Sequence, residues 1–198
     1  MKKIITILTT LYFCLFTLSA QATVVLVYHH VSADTPKSTS ITPSQFKLHL
    51  QYLKDNSFKV IALNEMVEKL KNKQPLEDKT VVITFDDGYS DILHNGHPLL
   101  KEYNYPYTMF INPNTVPEKK GMYLTWDEIK HMSDEDVLIA NHGLMHDSLI
   151  KVPAGESTDK WLSLKLDELV QAEQIKQAKI GNTLLYLTAS IRRKHSKN

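Results

Sequence analysis

Short apolar runs alternate along this chain with longer stretches whose apolar positions recur every three to four residues. Val24 to Val27 is β-branched and apolar without polar alternation, which predicts a strand buried on both faces. Asp34 to Ser40 reads as a polar loop. Thr42-Pro43-Ser44-Gln45 is a helix start, with Thr as N-cap, Pro at the first helical position and Gln closing a capping box; Phe46, Leu50 and Leu53 follow at helical spacing. Lys59 to Leu63 predicts a short strand and Asn64 a cap for a second helix carrying Met66, Val67 and Leu70. Thr80 to Phe85 predicts a buried strand, and Ile92 and Leu99-Leu100 mark the helix after it. Tyr107 to Ile111 is a third strand, Thr125 to Glu128 a second capping box, and Val137 to Ala140 a fourth strand. Ser157 to Ile180 predicts a long helix with Leu162, Leu166, Leu169, Ala172 and Ile175 on one stripe, stopped by Gly181. Strands alternating with amphipathic helices predict a parallel α/β sheet with helices outside it.

The first 22 residues change this picture. Lys2 and Lys3 precede an apolar run from Ile4 to Leu18, and Ser19-Ala20-Gln21-Ala22 supplies an Ala-x-Ala cleavage site, so residues 1–22 read as a secretory signal peptide. An uncleaved anchor helix is the other reading, disfavoured because the run is short for a span. The single cysteine, Cys14, lies inside this segment, so a chain cleaved there would carry no cysteine and no disulfide. The expected location is the periplasm or the cell exterior, with no stable membrane span after cleavage. A composition of 42% hydrophobic and 23% charged residues is that of a globular domain. Lys+Arg 23 against Asp+Glu 22 offers nothing for nucleic acid to bind.

Three of the predicted strands run into ligand-type side chains: His29 and His30, Asp86 and Asp87, and His142 with His146 four residues on. In β/α folds the C-terminal ends of the strands form the active rim, so the three clusters converge there. On a helical turn, residues at i and i+4 share a face. His142 and His146, completed by one carboxylate, would make a two-His, one-carboxylate set with open positions for water and substrate. The same pair also fits two surface histidines on a loop, and Asp-Asp-Gly alone also fits a polar turn.

Taken together, Thr84-Phe85-Asp86-Asp87-Gly88-Tyr89 and Asn141-His142-Gly143-Leu144-Met145-His146 resemble the signature and metal motifs of the polysaccharide deacetylases, the NodB-homology group or carbohydrate esterase family 4. Leu26 to Val31, Pro98 to Lys101 with Tyr105-Pro106, and Tyr123 to Trp126 resemble further stretches of that family in the same order, from about Val24 to Ile180. The resemblance implies a partial (β/α) barrel of the distorted seven-stranded deacetylase type, with four or five of the strands present. It implies hydrolysis of N-acetyl groups on poly-N-acetylglucosamine, peptidoglycan or a chitin-like glycan, releasing acetate. It assigns Asp86 as general base and Asp87, His142 and His146 as ligands of a divalent metal, zinc above all. His29 is expected either to touch substrate or to make a structural hydrogen bond beneath the rim, and His30 is expected to point away.

Two departures qualify the resemblance. Gly143 stands where the family usually has Ser or Thr, which predicts looser support for the ligand loop. After the long helix, the family's motifs for a backbone oxyanion donor, a tuned base and a His general acid have no counterpart. Residues 23–181 are therefore expected to be the N-terminal part of a deacetylase domain and 182–198 an atypical basic tail, through a premature stop or frameshift or as a genuine variant. Thr183 to Thr188 could still form a fifth strand. An inactive remnant or a non-catalytic glycan-binding protein that keeps the metal site is the alternative function. An open sheet edge and an uncovered apolar face are expected to follow.

Overall fold

The computed structural model describes residues 23–117, 121–144, 146 and 151–181. The expected signal peptide 1–22 and tail 182–198 lie outside the described residues. In chain order the elements are β1 (Val24–Tyr28), β2 (His30–Val31), β3 (Ser40–Ile41), α1 (Pro43–Asp55), β4 (Lys59–Val60), α2 (Leu63–Lys71), β5 (Thr80–Phe85), a π turn (Ile92–Gly96), α3 (His97–Tyr103), β6 (Thr108–Ile111), a 3-10 turn (Pro113–Thr115), α4 (Trp126–Asp134), β7 (Leu138–Asn141) and α5 (Thr158–Ile180). The main sheet has the order β1-β5-β6-β7, with β4 paired to the start of β5. Every pairing in it is parallel, as expected for strands joined by helical crossovers. No helix among the described residues is long and apolar enough to cross a membrane.

Local sequence accounts for the helix starts. Thr42 and Thr125 each accept a hydrogen bond from the backbone three residues on, and Gln45 and Glu128 close the reciprocal half of the capping box. Ser157 caps α5, and Gly181 ends it at φ +67°, a left-handed conformation that costs glycine nothing. The second helix differs from expectation. It starts at Leu63 behind Ala62, which makes no side-chain cap, so Asn64 sits inside the first turn and β4 stops at Val60.

The core forms between the sheet and α1, α3 and α4. All six residues of β5 are buried. Phe46, Leu50 and Leu53 of α1, Leu100 of α3, and Ile129 and Met132 of α4 pack with Ile83, Phe85 and Met109 in one cluster. Phe46 meets the rings of Tyr28 and Phe85 edge-on at 5.1 and 5.8 Å, and Phe85 meets Tyr107 at 5.5 Å.

Three expectations are corrected here. β1 is not buried on both faces: Leu26 and Tyr28 pack on the core, while Val25 and Val27 remain 41% and 55% exposed. Its one strand partner among the described residues is β5, so its other edge is unpaired among them. The segment 34–40 is not wholly loop, because Ser40 opens β3, which pairs with β2. On α5 the apolar stripe is only partly the buried face. Leu162 is exposed, Leu166, Leu169 and Ile175 are half-buried and Ala172 is buried, while Lys165, Glu173, Lys176 and Ile180, outside the stripe, are buried as well. The buried charges are paired: Lys176 Nζ lies 3.0 Å from Glu173 and donates to the Ile139 carbonyl at 3.1 Å, and Lys165 lies 2.7 Å from Glu168.

Candidate metal centre

The C-terminal ends of β5 and β7 carry the candidate residues, and the backbone is built to turn sharply there. The Asp86 amide donates to the Tyr28 carbonyl at 2.9 Å, extending the β1–β5 ladder by one residue. Asp87 and Gly88 then adopt φ +69° and +71° in succession. A non-glycine residue is uncommon there, although Asp is among the more tolerant. Gly88 is required twice over, since a Cβ would also stand 3.2 Å from Ile111 Cγ2. A strap from the 121–124 segment fixes this turn. Leu124 N–H donates to Gly88 O at 2.9 Å, Ser90 N–H to Met122 O at 2.8 Å, and Ser90 Oγ–H to Gly121 O at 2.7 Å. Tyr89 and Tyr123 form a bridge, with their rings stacked at 5.0 Å.

His30 packs against the segment that follows the turn. It is buried against Tyr89, ring to ring at 3.7 Å, and its Nδ1 is 2.6 Å from Asp91, whose other oxygen accepts the Val31 amide. Sequence reasoning missed this prop under the turn. His, Tyr and Asp residues spaced over sixty positions give no local signal.

The four principal candidates come together. Asp87 Oδ1 lies 3.3 Å from His142 Nε2 and 3.3 Å from His146 Nε2, and the two imidazoles are 4.9 Å apart. Ligand atoms of Asp87, His142 and His146 all fall within 4.8 Å of one another. Zinc bonds of about 2.0–2.2 Å at tetrahedral angles place neighbouring donors roughly 3.3–3.6 Å apart, so both Asp87–histidine spacings match such an ion. The Asp87 side chain is only 14% exposed while that of His146 is 57% exposed, which leaves one side of the cluster open.

Asp86 stands beside this set with Oδ2 at 4.0 Å from His142 Nε2. Burial pushes its carboxyl above the ordinary value; His142 and His29 oppose the rise, Asp87 adds to it, and His146 opposes it more weakly. His29 is thus close enough to Asp86 for its charge to be felt there, and it is half-buried at the end of β1.

One expectation about the histidines fails. Residues 142–144 and 146 are loop, with Gly143 at φ +86° and His146 at φ +56°. The two rings therefore meet across loop backbone with left-handed residues at 143 and 146, and not on a helical turn.

A family model described as polysaccharide deacetylase matches residues 73–189. Among sequence relatives, the protein YxkH of Bacillus subtilis (strain 168) is 30% identical over 122 residues, covering 62% of this chain and 42% of that protein. A poly-beta-1,6-N-acetyl-D-glucosamine N-deacetylase of Staphylococcus aureus (strain N315) is 33% identical over 131 residues, covering 59% of this chain and 45% of that one. The chain thus spans somewhat under half the length of these relatives. Among solved structures, IcaB from Ammonifex degensii superposes with a TM-score of 0.70 at 23% identity, over 82% of this chain and 71% of that one, a likeness of fold. The family model takes in both the Asp86-Asp87-Gly88 turn and the His142–His146 loop, and the chain belongs to the polysaccharide deacetylase family.

Proposed function

We propose that this chain carries the metal-binding site of a hydrolase that removes N-acetyl groups from an exported polysaccharide and releases acetate. The observation that carries the reading is Asp87 Oδ1 equidistant from two imidazole nitrogens at 3.3 Å, with a second carboxylate, Asp86, alongside. The name of the Staphylococcus aureus relative supports poly-N-acetylglucosamine as the glycan class. The apolar segment at residues 4–18 with its Ala-x-Ala site supports export to the periplasm or beyond the cell.

Asp87, His142 and His146 would hold a divalent ion, zinc by preference for this N/O donor set. When bound, such an ion polarises an acyl oxygen and lowers the pKa of water toward about 7. Asp86 is the general base. Its carboxylate is partly desolvated and free of ligand duty, and its raised pKa brings it nearer the working pH, as a proton acceptor requires. His29, at the end of β1 and close to Asp86, is positioned to contact the sugar. The open side at His146 is where a polymer would approach.

The test measures zinc stoichiometry and acetate release from N-acetylglucosamine oligomers with the full chain. A single zinc per chain, lost in His142→Ala and His146→Ala, together with acetate release, is the expected result. Zinc bound without acetate release would favour the glycan-binding alternative, and no zinc uptake would overturn the site.

A further inference from the structure

The loop between the two histidines is held by an asparagine from a different strand. Asn112 directly follows β6 and is 2% exposed. Its Nδ2 group donates to the His142 carbonyl at 2.8 Å and to the Gly143 carbonyl at 3.0 Å. Its own backbone carbonyl accepts both the amide and the hydroxyl of Thr115 at 2.9 Å, which anchors the residue in the 3-10 turn. Asn141 works from the other side: its Oδ1 accepts the Gly143 amide at 2.8 Å, and its Nδ2 donates to the Leu169 carbonyl of α5 at 2.8 Å.

A carboxamide suits the Asn112 position for a chemical reason. Two carbonyl oxygens converge on it, and an amide nitrogen carries two donors, one for each. A carboxylate of the same shape has none. At this burial, a polar group without its partner costs its full desolvation. The chain leaving His142 is therefore fixed at two successive carbonyls and one amide before it reaches His146. Gly143 at φ +86° is what lets both carbonyls face Asn112; a side chain there would be strained although nothing crowds it, with Leu169 Cδ2 at 4.0 Å.

We infer that Asn112, assisted by Asn141, is the positioning residue of the metal-ligand loop, setting where His142 and His146 meet Asp87. This rests on the reading of Asp87, His142 and His146 as metal ligands. It also replaces the expectation that Gly143 loosens the loop: support comes from β6 and β7, and the glycine is part of how it reaches the backbone.

The decisive variant is Asn112→Asp, which turns two donors into an acceptor facing two carbonyls. Zinc affinity is measured by competition with a chelating dye, and ligand geometry by the visible spectrum of the cobalt-loaded chain. Loss of an outer partner of a metal ligand typically lowers affinity about 10- to 100-fold. Asn112→Asp is expected to fall in that range with an altered cobalt spectrum. Thr80→Val serves as the control: it removes a buried hydroxyl that donates to Glu77 O at 2.6 Å at the far end of β5, and is expected to bind zinc within about twofold of the unaltered chain. Gly143→Ser, which restores the family's usual residue, is expected to weaken binding. If Asn112→Asp yields no folded protein by circular dichroism, Asn141→Ala decides by the same criteria. A folded variant with unchanged zinc affinity and cobalt spectrum overturns this inference alone. An unaltered chain that takes up no zinc overturns the site reading and this inference with it.

Discussion

Replacing each member of the Asp86–Asp87 pair by its amide separates their proposed roles. Asp87 Oδ1 sits 3.3 Å from both histidine nitrogens, whereas Asp86 Oδ2 sits 4.0 Å from His142 alone. Asp87→Asn weakens a direct ligand, so zinc affinity should fall by more than the roughly 10- to 100-fold that loss of an outer partner costs. Asp86→Asn removes only a neighbouring charge. Unit charges about 4 Å apart interact by about 1 kcal/mol in water and about 4 kcal/mol at an effective dielectric of 20. With its side chain 20% exposed, Asp86 lies between these limits, and a loss of about 1–2 kcal/mol, roughly tenfold in affinity, follows. The chemical step responds in the opposite order of selectivity. An amide cannot take a proton from water, and loss of a general base costs about 100- to 10,000-fold, or about 3–5 kcal/mol of barrier. Zinc affinity by dye competition and acetate release at saturating zinc, on all three chains, give the comparison. Asp86→Asn losing zinc as completely as Asp87→Asn, or retaining more than about a tenth of kcat, would refute the division of labour.

Three further outcomes test the scaffold. Phe46→Ala, which opens a cavity against Tyr28 and Phe85, should cost about 3–5 kcal/mol, read as a lower urea midpoint at unchanged slope. Glu135 is held down to about 2 by its hydrogen bonds to Lys101 and then His97, against an ordinary value of 4.5. Its folded pKa is depressed, so its contribution is complete above pH 4.5 and fades as pH falls toward 2; Glu135→Gln should flatten the acid loss of stability in that window, and an unchanged profile would count against the pairing. Val27→Lys on the exposed face of β1 should leave stability within about 0.5 kcal/mol and reduce concentration-dependent light scattering, because a charge on an edge strand blocks sheet-to-sheet pairing.

How much of this was legible in the sequence depends on the range of the interaction that fixes each feature. Both capping boxes were readable because Thr42 with Gln45, and Thr125 with Glu128, satisfy each other within three residues. β5 was readable to the residue because it is buried along its full length, so its composition alone marks it. β1 has a similar composition, yet three of its five residues are exposed. Burial on the second face depends on what stands beside the strand, which no local pattern encodes. α5 failed in the opposite sense. Lys165, Glu173 and Lys176 read as solvated positions, but on a helix leaning against β7 and α4 they are buried and paired. Hydropathy assigns charge to the surface and cannot anticipate a lysine whose partner is the Ile139 carbonyl.

The site divides along the same line. Strand ends are predictable, and parallel strands bring their C-terminal ends to one rim, so the meeting of Asp86 and Asp87 with His142 and His146 followed from the order of elements. The way the histidines meet did not follow. An i, i+4 spacing suggests a helical turn, but a helix would need right-handed backbone at Gly143 and His146, and both are left-handed. That choice is set by Asn112, thirty residues upstream, which draws two consecutive carbonyls toward itself, and by Asn141, which holds the amide between them. A substitution that looks like a loss when the motif is read alone, glycine for a hydroxyl residue, is therefore consistent with a loop whose support has moved to the neighbouring strands. A serine or threonine at position 143 would bring a donor of its own, and it would also oppose the conformation that gives Asn112 its two acceptors.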